Sequence, residues 1–191
     1  MGNSSAPRLI VIAGITAVLF FFGLLVTERI PEIPVDIDQK PFFIPFVFAA
    51  LLPLGPPAWA VGLGMALGEG FGDILEGYEV DDAFGFIGYI LTPVIAAYII
   101  RNRPRNWLLV SLACIVGAFV QAVIEASTFL LFGEEALPVA IQSAIGNTIT
   151  HGILWGAIPA VILVPLLYGR IERFLGYAPK EDAAASTADS K

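Results

Sequence analysis

The stretch Gly64–Gly77, GMALGEGFGDILEG, closes an apolar segment, Ala58–Leu75, that is otherwise long enough to cross a membrane. It places two carboxylates, Glu69 and Asp73, four residues apart on one face of a helix. An ionised carboxylate in hydrocarbon costs at least about 2.5 kcal/mol, so such groups normally face a partner, a cavity or water. The stretch therefore predicts a polar site within a membrane helix.

The composition sets the environment of the chain. Of 191 residues, 57% are hydrophobic and 14% are charged, and the mean hydropathy is +0.82. These values predict an integral membrane protein. A net charge of -7 argues against nucleic acid as a partner, because phosphate binding needs a basic face. The single cysteine, Cys114, lies in an apolar segment and allows no disulfide within the chain.

Six apolar segments alternate with stretches rich in proline, glycine or charge. Five are long enough to span, at about 1.5 Å per residue, whereas the second carries two prolines and is just over half a normal span. The sequence thus predicts an all-α membrane bundle of six transmembrane helices with a short or broken second helix. The segments are Leu9–Val26, Phe42–Leu54, Ala58–Leu75, Ala83–Ile100, Trp107–Phe132 and Val139–Tyr168.

The distribution of charge orients this bundle. With six crossings, the arginines at 8, 101, 103, 105, 170 and 173 fall on one side, which is cytoplasmic by the positive-inside rule, and the acidic loops fall outside. The protein is then expected in a prokaryotic cell membrane, with both termini on the cytoplasmic side. The predicted plan is a cytoplasmic N-terminus (1–8), a transmembrane domain (9–174) with an external loop (27–41) and a cytoplasmic arginine loop (101–106), and a disordered cytoplasmic tail (175–191).

Polar residues on three helices are predicted to meet in the outer half of the membrane. Measured from the outer helix ends, Glu69, Glu125 and Asn147 lie about 9, 11 and 12 Å deep. Each belongs to a pair with i,i+4 spacing. The alternative is structural: Glu125 and His151 form a buried pair, and the remaining carboxylates reach water. The predicted pairs are Glu69 with Asp73, Gln121 with Glu125, and Asn147 with His151.

Small residues predict close helix contacts. Gly64, Gly68 and Gly72 repeat every four residues in the third segment, a pattern that most often serves packing within a bundle. Ala13 and Ala17, with Gly14 beside them, give the first segment a similar surface, whose neighbour is either another helix of the chain or another subunit.

Catalytic and metal-binding patterns are missing from the sequence. It contains no His-Glu-x-x-His helix, no Gly-x-Ser-x-Gly elbow and no phosphate-cradling loop. The lone histidine and the carboxylates match no known metal spacing. We therefore expect a protein that is not an enzyme and has no cofactor, and whose energy for any active transport comes from another chain or an ion gradient.

The span from Leu9 to Phe174 resembles the substrate-binding membrane subunit, or S component, of energy-coupling factor (ECF) vitamin transporters. The resemblance rests on six short segments, Ala13 and Ala17, the glycine-rich third segment WAVGLGMALGEGFGDIL and the fourth, AFGFIGYILTPVIAAYIIR. It implies that Ala13 and Ala17, with Gly14, dock onto a transmembrane coupling subunit. It also implies that two cytoplasmic ATPases drive release, and that the loop after the first helix caps a substrate near the outer face.

The predicted site favours a neutral or cationic nitrogenous substrate. Its carboxylates have no intramembrane Arg or Lys to compensate them, so an anionic vitamin would be repelled. Trp155, one turn from His151, and Tyr89 or Phe86 are candidates for stacking on a flat ring, although aromatic residues in membrane helices more often serve packing.

Two other functions remain open at this point. A structural membrane protein of the cell-shape type would use the glycine stripes for partner helices and need no ligand. An ion-coupled carrier or channel would use Glu69, Glu125 and His151 as a relay.

Overall fold

The computed structural model describes residues 5–27, 29–30, 39–77, 82–133 and 136–180. Within these ranges the chain is helical and contains no β-strand, which confirms the all-α prediction. Most of the predicted external loop 27–41 lies outside the described residues. The helices are α1 (Ala6–Thr27), α2 (Phe43–Leu51), α3 (Pro56–Glu76), α4 (Asp82–Ile100), α5 (Trp107–Phe132), α6 (Leu137–Asn147), α7 (Ile158–Leu167) and α8 (Arg170–Phe174), with a π-helical segment (Thr148–Ala157) joining α6 to α7.

In the part of the chain that the structure describes, four helical stretches are long and apolar enough to cross a membrane, as expected for a multi-pass membrane protein. They are Ala6–Thr27, Asp82–Ile100, Trp107–Phe132 and Leu137–Leu167. The helix α3 is as long as these, with 21 residues, but its glycines and carboxylates make it less apolar. The predicted short second segment forms α2, whose nine residues rise only about 14 Å.

Proline, glycine and asparagine set the helix ends. The chain leaves α2 in an extended conformation at Leu52 and turns at Gly55, whose positive φ of 102° suits glycine, before prolines open α3. Asn106 caps α5, because its side chain accepts a hydrogen bond from the Leu109 amide at 3.1 Å. Gly133, in the left-handed conformation, ends α5.

Close approaches of glycine fix how the helices pack. Cβ atoms on Gly64 and Gly68 would overlap the carbonyl oxygens of Ala13 and Ala17, so α3 lies directly against α1 and runs parallel to it. A Cβ on Gly62 would likewise overlap the Ile90 carbonyl of α4. The glycine stripe of the third segment therefore serves packing within the chain.

Small residues fill the interior and large apolar residues cover the outside. On α5 the buried positions include Ala113, Cys114, Gly117, Ala118, Ala122 and Ala126, whereas Leu108, Leu112, Phe119, Leu130 and Leu131 are exposed. A soluble monomer rarely exposes so much apolar surface, but a bundle surrounded by lipid does so on every face.

The last long segment differs from the regular helix that its sequence predicts. Residues Thr148–Ala157 form a π-helix, in which the Ile158 amide bonds the Ile153 carbonyl five residues earlier. Two glycines allow it: Gly152 lies against α5, and a Cβ on Gly156 would overlap the His151 carbonyl oxygen. Such wide turns are rare and occur frequently at functional sites.

The predicted disordered tail, 175–191, begins too early. Leu175 and Tyr177 are buried with Ile12, Phe48 and Leu52, and Arg8 lies 4.7 Å above the Tyr177 ring. The prediction is therefore wrong for residues 175–180, because their apolar side chains complete the core at this end of the bundle. Residues 181–191 lie outside the described residues.

Candidate functional site

A small polar cavity lies at the end of the bundle where α3 and α5 finish and α4 begins. Its volume is about 40 Å³, enough for about three water molecules and far below the roughly 300 Å³ of a site for a drug-sized ligand. Its walls carry four carboxylates and one ammonium. The lining residues are Lys40, Glu69, Asp73, Asp82, Gly85, Tyr89, Glu125 and Thr128.

Lys40, Glu69 and Tyr89 form a closed triangle at this cavity. The Lys40 Nζ lies 2.7 Å from Glu69 Oε1 and donates to the Tyr89 hydroxyl at 2.7 Å. The Tyr89 hydroxyl in turn donates to Glu69 Oε1 at 2.8 Å. The carboxylate thus receives two hydrogen bonds on one oxygen, which is how a buried anion is stabilised.

The second oxygen of Glu69 is in a different position. Glu69 is only 5% exposed, and among the described residues its Oε2 atom has no hydrogen-bond partner. A buried carboxylate oxygen in this state loses its hydration without compensation from the protein. It is thus a candidate acceptor for a group entering the cavity.

Glu125 approaches the same ammonium from α5. Its Oε1 lies 4.0 Å from Lys40 Nζ, and its Oε2 accepts a hydrogen bond at 3.0 Å from the amide nitrogen of Gln121. Gln121 is fully buried one turn deeper on the same helix. The predicted pair Gln121 and Glu125 therefore meets the predicted Glu69 through a lysine.

The third predicted pair, Asn147 with His151, faces a different part of the chain. Asn147 donates to the Ser143 hydroxyl of its own helix at 3.4 Å, and His151 stacks on Phe42, with ring centroids 4.3 Å apart and planes inclined by 15°. The Trp155 indole donates to the Gln39 side chain at 2.6 Å. Because the π-segment turns more widely than an α-helix, His151 and Trp155 meet the segment Gln39–Phe42 rather than the carboxylates.

The predicted site residues are thus only partly brought together. Glu69, Asp73 and Glu125 line the cavity, and Gln121 supports Glu125. Asn147, His151 and Trp155 are absent from its lining; the last two contact the segment that carries Lys40.

Lys40 corrects the electrostatic premise of the sequence analysis. The carboxylates do have a compensating base, supplied by the segment before α2 rather than by a membrane helix. Periodicity within the helices gives no sign of this. One available signal is that Lys40 is a basic residue immediately before an apolar segment, on the side that the positive-inside rule predicts to be poor in Lys and Arg.

Tyr89 and Asp82 are also missing from the predicted site. Tyr89, considered above only as a ring for stacking, contributes its hydroxyl, and Asp82 enters at the start of α4. Their position follows from the antiparallel packing of α3 and α4, which brings the beginning of α4 beside Glu69.

The predicted docking surface of α1 is largely occupied by the chain itself. Ala13 and Ala17 are buried against Gly64 and Gly68 of α3, whereas Gly14 is exposed. An outward docking role for Ala13 and Ala17 does not agree with this packing, because a partner would have to displace α3. Of the three residues, only Gly14 is accessible.

A second lysine lies at the opposite end of α2. Lys180 is 4% exposed and donates to the Ala49 carbonyl at 3.1 Å, so it binds one of the carbonyls that the end of α2 leaves free. Burial lowers the pKa of Lys180 to about 7. Burial also raises the pKa of the neighbouring Glu172, whose carboxylate accepts from the Gly169 amide at 2.7 Å.

The acidic residues of the cavity do not form a metal site with other described residues. No group of three or more His, Cys, Asp or Glu among them is arranged to hold a metal ion. The four cavity carboxylates are spread around the walls, and one of them already binds an ammonium. What this arrangement offers is a receptor for a cationic or hydrogen-bond-donating group.

Comparison with known proteins gives one partial match. A family of unknown function (DUF8171) matches residues 134–191, which include α6, the π-segment, α7 and α8. No curated protein and no solved structure matches the chain. The matched region carries Asn147, His151, Trp155 and Lys180, while Lys40 and the cavity carboxylates lie before it.

Proposed function

We propose that this chain is the substrate-capture subunit of an ECF-type importer, binding a small neutral or cationic nitrogenous vitamin or precursor at the cavity between α3, α4 and α5. The observation that carries the proposal is the buried Glu69 carboxylate, which faces this cavity with one oxygen unpartnered among the described residues. Ionisable groups in membrane helices are functional by default.

The direction of the helices supports a bundle of six crossings. Because α1 and α3 run parallel, the chain between them must return from one end of the bundle to the other. Contacts of its two ends agree with this: Lys40 meets Glu69 near the end of α3, and Ala49 meets Lys180 near the start of α1. In this proposal the second crossing is made by α2 together with the non-helical residues on either side of it.

The charges support an outward-facing site. Arg8 and Arg105 contact the aromatic rings of Tyr177 and Tyr168 at the end of the bundle opposite the cavity. By the positive-inside rule that basic end faces the cytoplasm. The cavity then opens toward the outer face, where a solute is captured before import.

The balance of charge within the cavity supports the proposed substrate class. Four carboxylates and one ammonium line it, so the site retains an excess of acceptors. A neutral donor or a cation is attracted by this excess, and an anion is repelled.

The size of the cavity requires side chains to move when a solute binds. About 40 Å³ accommodates water or a very small cation, but no vitamin. The same size favours a second candidate, an ion-coupled carrier in which Glu69 and Glu125 pass a proton or a small cation. Transport by the isolated chain would distinguish that candidate, since an ECF-type subunit needs a coupling subunit and two ATPases.

Docking onto that coupling subunit is proposed through the exposed side of α1. Gly14 lies on this side between Ile10 and Val18, which are 72% and 53% exposed. No described residue outside this helix lies within 4 Å of a Cβ placed on Gly14, so a bulky side chain there, as in Gly14→Trp, is expected to block assembly without unfolding the chain.

The test is a thermal-shift screen of the protein in lipid nanodiscs against water-soluble vitamins and their precursors. We expect a nitrogenous compound to stabilise the wild type, and Glu69→Gln and Glu125→Gln to weaken its binding. Ser127→Ala is the matched control, because Ser127 is exposed on α5 and its hydroxyl bonds its own helix at 2.6 Å. A hit that survives both Gln variants would move the site elsewhere, and no hit at all would contradict the proposal.

A further inference from the structure

The ammonium of Lys40 is held like a bound ligand. It contacts Glu69 Oε1 and the Tyr89 hydroxyl at 2.7 Å each, faces Glu125 Oε1 at 4.0 Å and lies 5.4 Å from the centre of the Tyr89 ring. Carboxylates and a phenol oxygen are groups that recognise alkylammonium ions in proteins.

We propose that Lys40 is an internal substitute for the substrate's cationic group, so that the solute is an organic cation whose ammonium or amidinium takes the place of the lysine ammonium. This inference rests on the proposed function and narrows its substrate class from neutral or cationic to cationic.

The acceptors are held in position independently of Lys40. Glu69, Tyr89 and Glu125 belong to three different long helices. The Tyr89 hydroxyl fixes Glu69 at 2.8 Å, and the Gln121 amide fixes Glu125 at 3.0 Å. A site organised in this way remains formed when its cation leaves, which is the condition for exchanging one cation for another.

Withdrawal of the Lys40 side chain, in contrast, would unfold no helix. It lies on a non-helical segment, and its side chain is 16% exposed at the cavity. Its neighbours hold the backbone in place, since Pro41 packs against Gly23 and Gln39 binds Trp155. Rotation about the bonds of the lysine side chain is therefore sufficient for the exchange.

The charges require that a cation replaces the lysine. Withdrawing the ammonium alone would break the 2.7 Å ion pair of the buried Glu69, which is strongly unfavourable. An incoming ammonium restores the pairing, whereas a neutral or anionic solute does not. The exchange thus selects for positive charge.

Competition by Lys40 predicts a measurable effect on affinity. If Lys40 fills the site for more than nine-tenths of the time, the apparent affinity of a competing cation is reduced at least about tenfold. Lys40→Met removes the competitor while retaining much of the length of the side chain. It should therefore bind an external ammonium at least about tenfold more tightly than the wild type.

The experiment uses n-butylammonium chloride, a lysine side chain without its backbone, as the probe. Thermal unfolding in nanodiscs is followed during titration of wild type, Lys40→Met, Lys40→Met with Glu69→Gln, and Lys180→Met as a matched lysine control. We expect saturable stabilisation of Lys40→Met at concentrations at least tenfold below those for the wild type or Lys180→Met. The double variant should lose it, and uncharged n-butanol should not reproduce it.

A second measurement keeps the test valid if Lys40→Met folds poorly. The chain has three lysines, at 40, 180 and 191, so biosynthetic labelling with lysine carrying ¹³C at Cε gives three assignable NMR signals in the wild type. Addition of n-butylammonium should move the Lys40 signal toward the position of a solvent-exposed lysine and leave that of Lys180 unchanged.

The outcomes separate the inference from the function on which it rests. One outcome is that a solute from the vitamin screen binds the wild type but binds Lys40→Met no more tightly, and that the NMR signal of Lys40 does not move. Lys40 then has a purely structural role, and the inference is wrong. If no solute and no alkylammonium binds any variant, the proposed function fails with it.

Discussion

Two lysines lie at the two ends of α2, and their surroundings differ. Lys40, just before the helix, meets two carboxylates and a phenol in a cavity with an excess of negative charge. Lys180, from the C-terminal segment, meets the backbone carbonyl of Ala49 in an almost completely buried position. The first lysine is held by charge and the second by a helix end.

This difference indicates which end is suited to exchange its partner. Around Lys40, the acceptors are side chains that any cation of similar shape can satisfy. Around Lys180, the acceptor is a single carbonyl, and burial holds the pKa of the ammonium near 7. Under the proposed function, ligand binding belongs to the Lys40 end and a structural role to the Lys180 end.

The largest expected effect is that of Lys40→Met on the ligand-free protein. Removing one partner of a buried ion pair should lower the free energy of unfolding by about 3 kcal/mol. Thermal unfolding in nanodiscs measures this loss, and adding Glu69→Gln should recover part of it. An unchanged unfolding midpoint would show that the ion pair between Lys40 and Glu69 does not stabilise the fold.

The contact between α1 and α3 serves as a reference for these stability effects, because it involves neither lysine. Gly64→Ala would push a methyl group into the Ala13 carbonyl, and we expect a loss of about 1–3 kcal/mol. Gly70→Ala is the control on the same helix, because no described residue outside that helix lies within 4 Å of its Cβ position. Equal stability of the two variants would contradict the close packing of α1 on α3.

Lys180→Met should have a smaller effect than Lys40→Met. It removes one charged donor from the Ala49 carbonyl, which is expected to cost about 1–2 kcal/mol. Binding of solutes at the cavity should remain unchanged, as judged by the same thermal-shift titration. Weakened binding in this variant would mean that the two ends of α2 are coupled.

The smallest effect is the pH dependence of the Lys180 end. Burial lowers the pKa of Lys180 from 10.5 to about 7 in the folded state. Between these values the unfolded chain holds a proton that the folded chain lacks, so stability should rise with pH, whereas below pH 7 the penalty is constant. From pH 7 to 8 this amounts to about 1 kcal/mol, so the wild-type unfolding midpoint should rise by a few degrees relative to Lys180→Met, and parallel curves would contradict this.

Much of the fold could be predicted because it depends on local patterns. Long apolar segments give α4 and α5 to within one residue and α1 to within three residues, and two prolines mark the short α2. Depth along the helices was also sufficient to bring Glu69 and Glu125 to one cavity.

The remaining features depend on contacts between distant parts of the chain. The reach of Lys40 into the cavity follows from the path of the segment before α2, and no periodicity encodes that path. The π-segment, which turns His151 toward Phe42, arises where Gly152 and Gly156 pack on α5. The small face of α1 suits a partner helix as well as α3, so its sequence alone does not identify the neighbour.

The most direct test of a cation-binding site at Glu69 is native mass spectrometry of the protein purified from its membrane in the presence of a mixture of vitamins and precursors. We predict a bound organic cation in the wild type that is retained in Ser127→Ala and lost in Glu69→Gln. A wild-type spectrum with no small-molecule adduct, or an adduct that persists in Glu69→Gln, would contradict the account.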